Sequence, residues 1–372
     1  MRRLLIVVAV TLVLAAGAHA AVPKPHASAF FVVNASNGEV LASGNAHRRV
    51  PIASITKLMT VIVALDHLRP DDVVTVSGHA AQVGESRIPL VRGQRISVQD
   101  LLEGALIQSA NNAADALAAA ASGGDTARFV EWMNERAQRL GLRDTHFVRP
   151  DGLDAPGHVS SARDVAVLAR VAMHSPVVRA IVRKRSDTIE NGRFVVHTWN
   201  DLLGVFPGLI GVKTGHTGAA GWCEVAAARR EGFTIYAVIL GSPTRGQRND
   251  DLLRLLAWGV SQYRTLTLVA RRPYAWAAAP YGRRPVALVA RTPLRSVVRV
   301  GRPLVERIVA PTAVSLPVAR GEQLGRVEIW AGRTRLGSRP LVAGRAVTRP
   351  GAWGRVRWYG TRTVHHLLGM FR

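Results

Sequence analysis

The spacing of apolar residues changes from helical to strand-like near Gly211, and that change limits the folds open to this chain. Up to about residue 173 apolar positions recur at helical intervals: Ile55, Leu58, Met59, Ile62 and Leu65 after Pro51, then stretches over 98–121 and 126–140. Ser161 and Asp164 form a capping box that opens another helix, to about residue 173. From Gly211 the period shortens: 211–214, 221–228 and 233–240 read as strands, with Arg230-Glu231-Gly232 as a turn. Links this short cannot return a strand in parallel, so an antiparallel sheet is expected. A hairpin over 29–33 and 39–42, turning at Asn37-Gly38, precedes the helices. An amphipathic helix over 250–263, through Leu252, Leu253, Leu256 and Val260, follows the strands. Helices and strands segregated in this way predict an α+β domain.

A chain of 372 residues exceeds one typical core. Beyond Arg264, valine-rich pieces at 286–289, 297–300 and 327–330 are split by Gly and Pro, an all-β texture, and 271–284 reads as a linker or an edge segment. At the N-terminus Arg2-Arg3, an apolar stretch and Ala18-His19-Ala20 form an export signal with a cleavage site before Ala21. The expected organisation is a signal peptide over 1–20, a first domain over 21–266, a β-rich domain over 267–347 and a tail over 348–372. In the tail Trp353, Val356, Val364, Leu367 and Phe371 share a helical face opposite Arg355, Arg362 and His366, as in a basic helix that lies on an anionic membrane surface. Gly354, Gly360 and Gly369 weaken that helix, which leaves a disordered or docked tail as the alternative.

Charge divides the chain unevenly. From Arg264 onward 21 arginines face the acids Glu306, Glu322 and Glu328, a net +18 of the total +24. For an exported protein the matching polyanion is anionic lipid or cell-wall polymer, and nucleic acid is not expected. Cys223 is the only cysteine and sits in an apolar run, so it reads as an inert buried thiol and disulfides contribute nothing.

Only four of the 49 basic residues are lysine, and two of those stand inside chemically suggestive motifs: Ser54-Ile55-Thr56-Lys57 and Lys213-Thr214-Gly215. Arginine stays protonated, whereas a buried lysine can lose its proton and serve as a base. Ser-x-x-Lys at a helix N-terminus places hydroxyl and amine one turn apart on the same face. Ser109-Ala110-Asn111 lies between the two motifs, and Ser109, Asn111 and Asn112 are poor helix formers inside a helical stretch. Each motif is weak alone; their order and spacing are specific.

With these residues the chain resembles the penicillin-binding-protein and serine β-lactamase superfamily, and most closely its low-molecular-mass D-alanyl-D-alanine carboxypeptidases. The resemblance spans about 27–263 and includes Asp151-Gly152-Leu153-Asp154 and His158-Val159-Ser160-Ser161; a weaker likeness at 318–325 matches the family's β-rich second domain. It implies an antiparallel sheet with helices on both faces, a helical subdomain and a small all-β domain behind them. It implies Ser54 as acylated nucleophile, Lys57 as general base and Ser109 as proton relay to the leaving amine. Asn111 would bind the substrate peptide, Thr214 its terminal carboxylate through the hydroxyl, Lys213 would add positive potential there, and the backbone N–H groups of Ser54 and His216, beside Gly215, would bind the oxyanion. Arg248 matches a family arginine near that carboxylate, with Arg245 as its rival. The implied substrate is a peptidoglycan stem peptide ending in D-Ala-D-Ala, with β-lactams as covalent inhibitors and neither cofactor nor metal. The alternatives are a class A β-lactamase, whose deacylating glutamate is absent from 142–154, and a noncatalytic wall-binding protein.

Overall fold

The structure, a computed structural model, describes residues 5–12 and 21–369, with the side chains of 21–363. It divides into two compact units, one of residues 20–261 and one formed by 262–372 together with 1–19.

The first unit is built on a five-stranded antiparallel sheet in the spatial order Glu39–Gly44, Ala29–Asn34, Phe233–Ser242, Gly221–Arg230, Leu209–Thr217. Alternation along the strands gives the sheet two apolar faces. Phe31, Val225, Ala227, Tyr236 and Val238 join the large core shared with the helices Lys57–Leu65 and Ala162–Ala172. Val32 and Ile235 turn the other way, against Gly259 on the helix Arg245–Ser261. The helices Val98–Leu106, Asn111–Ala121 and Thr126–Arg139 form the helical subdomain.

Three expectations are corrected in detail, and one element was not foreseen. Ser54 lies not on the α-helix but on a short 3₁₀ turn, Ala53–Thr56, and the α-helix begins at Lys57. The stretch 98–121 is two helices, because Ser109 adopts φ +64° and breaks the run between them. The helix over 250–263 starts earlier, at Arg245, where Thr244 Oγ1 accepts the Gln247 N–H (3.1 Å) and caps it. Ser186–Ile189 and Phe194–His197 form a hairpin not foreseen from the alternation pattern. Ser161 caps its helix as expected, its hydroxyl accepting from Asp164 N, but the Asp164 carboxylate accepts from Asp144 N and Thr145 Oγ1 instead of returning a bond to Ser161, so half of the capping box forms.

The second unit carries a six-stranded sheet and a separate pair, Tyr263–Val269 with Leu294–Arg299. Pro273–Ala277, within the stretch read as a linker or edge, is the outermost strand on one side of the larger sheet. On the other side Leu5–Leu12 pairs antiparallel with Leu304–Pro311. That segment belongs to the expected export signal; the cleavage signature at 18–20 lies outside the described residues. The tail forms a helix, Ala352–Gly369, whose Trp358 packs edge-on against Tyr281. Among the described residues no helix is long and apolar enough to cross a membrane.

Candidate active site

The turn that carries Ser54 is held from below. Gly152 has φ +85°, and a Cβ there would lie 2.2 Å from the Ala53 carbonyl oxygen, so the loop at 151–154 packs directly on the turn. Thr60 Oγ1 donates to the Pro150 carbonyl, and His158 Nε2 bonds Thr56 Oγ1 at 2.8 Å. Val148 N–H donates to His158 Nδ1 (3.0 Å), so the ring proton sits on Nε2 and points at Thr56. Burial lowers the His158 pKa to about 4 and keeps the ring neutral. Asp154 completes the loop's ties by accepting from Thr217 Oγ1 (2.6 Å) at the end of the strand Leu209–Thr217.

Lys57 is fully buried, and its Nζ donates to Ser54 Oγ (2.7 Å), Asn111 Oδ1 (2.7 Å) and the Asp151 carbonyl (2.6 Å). Burial drives its pKa down to about 8 against the opposing pull of Asp151, Asp115 and Glu85. The Asp151 carboxylate is itself clamped by Arg149 through Nε (2.6 Å) and Nη2 (2.7 Å).

Lys213 is likewise buried and donates to Ser109 Oγ (2.8 Å) and the Thr214 carbonyl (2.9 Å). Burial, then the nearby Lys57 charge, holds its pKa well below the ordinary lysine range. The positive φ of Ser109 aims its hydroxyl at this amine, which a continuous helix would not do. Asn111 is fixed by its N–H to the Ser86 carbonyl (2.7 Å) and its Nδ2 to the Gly84 carbonyl (3.0 Å).

Ser54, Ser109, Asn111, Thr214, Gly215, His216 and Arg248 line one cleft of about 240 Å³, with Lys57 and Lys213 bonded beneath it. The strand bearing Lys213-Thr214-Gly215 is the edge of its sheet, and a Cβ on Gly215 would lie 3.0 Å from Ser54 N. The backbone at Ser54 and the unpaired side of that strand therefore meet in the cleft. Each catalytic or substrate-binding candidate read from the sequence lines the cleft or bonds a residue that does, and the rival Arg245 does not line it.

Arg248 is 1% exposed, not on the solvated surface, and its Nε lies 3.2 Å from Glu224 while its Nη2 bonds Asp201 at 3.0 Å. Arg245 instead forks onto Asp201 and stacks over Trp199 and Trp222. Glu224 is fully buried, and burial raises its pKa to about 7 although Arg248 opposes this. Cys223 is buried beside it and its thiol is pushed up to about 12, so it stays protonated.

Sequence reasoning gave no role to Glu224, Trp199, Trp222, Glu85 or Asp201, all of which line the cleft or hold its arginines. The one available signal was Glu224, an acid in the otherwise uncharged run 221–228. The others reach the site only through tertiary packing.

Comparison with known proteins agrees with this geometry. Residues 16–244 match the family described as D-alanyl-D-alanine carboxypeptidase (Peptidase_S11). The chain belongs to that family. It is 30% identical to the D-alanyl-D-alanine carboxypeptidase DacF of Bacillus subtilis, over 84% of this chain and 83% of that protein. It is 36% identical to DacD of Escherichia coli over 67% of each chain. Among solved structures it resembles penicillin-binding protein 6B of Escherichia coli, with 30% identity and a TM-score of 0.64 over 88% of this chain and 98% of that one. It also resembles penicillin-binding protein D2 of Listeria monocytogenes in its ampicillin-bound form, with 32% identity and a TM-score of 0.58 over 63% of this chain and 98% of that one. The fold is that of the penicillin-binding proteins and serine β-lactamases. The comparisons favour a serine carboxypeptidase over either alternative, the class A β-lactamase and the noncatalytic wall-binding protein.

Proposed function

We propose that the protein removes the terminal D-alanine from peptidoglycan stem peptides through an acyl-enzyme on Ser54. The carrying observation is the contact of a buried, pKa-depressed lysine amine with the Ser54 hydroxyl. With a pKa of about 8, roughly a tenth of Lys57 is neutral at pH 7.

Neutral Lys57 takes the hydroxyl proton as Ser54 Oγ bonds to the carbonyl carbon of the penultimate residue. The oxyanion then meets the backbone N–H groups of Ser54 and His216. Cleavage of the C–N bond expels D-alanine, whose nitrogen receives a proton delivered through Ser109; the proton gained by Lys57 balances it. Water then attacks the ester, gives a proton to Lys57, and Ser54 regains its own. The peptide lies extended along the free edge of the strand Leu209–Thr217, with Asn111 on its backbone and Thr214, Lys213 and Arg248 toward the terminal carboxylate. A β-lactam would acylate the same oxygen.

The protein acts outside the cytoplasm. The N-terminal signal directs export, and the basic tail helix rests on the anionic outer face of the cytoplasmic membrane. Intact mass after exposure to benzylpenicillin tests the nucleophile: one adduct is expected on the wild type and none on Ser54→Ala. A wild type that takes up no label under conditions that saturate DacF overturns the reading. Release of D-alanine from a pentapeptide, set against cleavage of a crosslinked dimer, separates carboxypeptidase from endopeptidase action.

A further inference from the structure

Among the residues that line the cleft, Glu85 carries the only acidic side chain. It is exposed, sits at φ +62° in the left-handed region, and makes no hydrogen bond or ion pair among the described residues. A glutamate gains nothing locally from that backbone conformation. The segment is nevertheless strapped on both sides of Glu85, with Gly84 and Ser86 both accepting from Asn111. Glu85 is thus presented beside the residue that reads the substrate backbone.

The nearby cations are already engaged. Arg149 is bidentate on Asp151, and Lys57 spends its donors on Ser54, Asn111 and Asp151. The cleft is also polar along its length. Glu85 flanks Asn111, which bonds Lys57, whereas Arg248 is tied to Glu224 and Asp201, so the acid and the carboxylate-binding arginine are held by different parts of the cleft wall. In the proposed pose the terminal carboxylate lies toward Arg248 and Thr214, so the acyl side of the scissile bond falls toward Asn111 and Glu85.

Resting on the carboxypeptidase reading above, we infer that Glu85 selects peptides bearing a protonated side-chain amine on the acyl side of the D-alanyl-D-alanine pair. A primary ammonium fits an exposed carboxylate that lacks a partner of its own. An acetylated amine at the same place offers neither the charge nor the donors.

The test compares two tripeptides, Nα-acetyl-lysyl-D-alanyl-D-alanine with a free ε-amine and its Nα,Nε-diacetyl counterpart, at low salt. The free-amine peptide should have a kcat/KM about three- to tenfold higher with the wild type. In Glu85→Gln that ratio should fall to about one, and in Glu85→Lys the order should invert. Added salt should shrink the wild-type ratio. Benzylpenicillin labelling of each variant verifies a folded, acylatable site. Glu85 also acts on Lys57 at a distance, and a purely electrostatic role would change both peptides by the same factor and leave the ratio intact, which overturns the inference. A wild type that turns over both peptides without discrimination overturns it too, while the carboxypeptidase reading stands. A wild type that turns over neither and takes up no penicillin overturns both.

Discussion

Lysine scarcity told more than any single motif, because arginine cannot replace a base. Lys57→Arg keeps the charge and a donor toward Ser54, yet it should lower acylation by about 10²- to 10⁴-fold, read as the rate of benzylpenicillin labelling. Acylation within a factor of ten of wild type would remove Lys57 from the role. Since Lys57 must be neutral to accept the proton and its pKa is about 8, the acylation rate should climb as pH rises toward 8 and level off above it. A rate that is flat between about pH 6 and pH 9 would place the base elsewhere. Arg248 carries a different lesson. Its motif position was visible, but its burial against Glu224 and Asp201 was not, because those partners sit 24 and 47 positions away in the chain. Arg248→Ala should weaken turnover of peptides with a free terminal carboxylate far more than that of their amides. Equal losses on acid and amide would argue against carboxylate contact.

At the level of elements, periodicity located most of the helices and strands around the site, since burial on one face imposes a regular pattern. It failed where function interrupts the pattern. The left-handed Ser109 splits what reads as one helix, and the 3₁₀ turn under Ser54 looks in sequence like the first turn of an α-helix. Neither exception has a periodic signature, because each is imposed by a contact with a distant segment. Gly152 shows this most directly, being a glycine whose only visible cue was a familiar tetrapeptide. Gly152→Ala should force the Ala53 carbonyl aside, costing roughly 2–4 kcal/mol and lowering Tm by about 5–15 °C. The same change should slow penicillin acylation at least about tenfold, because Ser54 rides on the displaced turn. A variant with wild-type Tm and labelling would show that the loop yields without moving the nucleophile.

For the whole molecule, composition separated a nearly balanced first part from a strongly basic second part, and the structure divides the chain at residue 261/262. The pairing of Leu5–Leu12 with Leu304–Pro311 was not legible, because an apolar export signal and an apolar edge strand have the same composition. The tail's face pattern suggested a helix that its glycines left open, and the structure has one over Ala352–Gly369. Removing residues 349–372 should reduce binding to vesicles containing anionic lipid, most strongly at low salt, while penicillin labelling continues. Equal vesicle binding by the shortened protein would assign the attachment to other arginines of the second unit.

The sheet of the first unit ends at Leu209–Thr217, which among the described residues pairs with no further strand on its outer side. A guest backbone that docks there supplies the absent ladder, so occupancy and rigidity rise together. Amide hydrogens along that rim should exchange more slowly in the penicilloyl form than in the free protein, and the liganded protein should melt later. The enzyme would be most compliant between turnovers, in the interval when it must admit a new chain end.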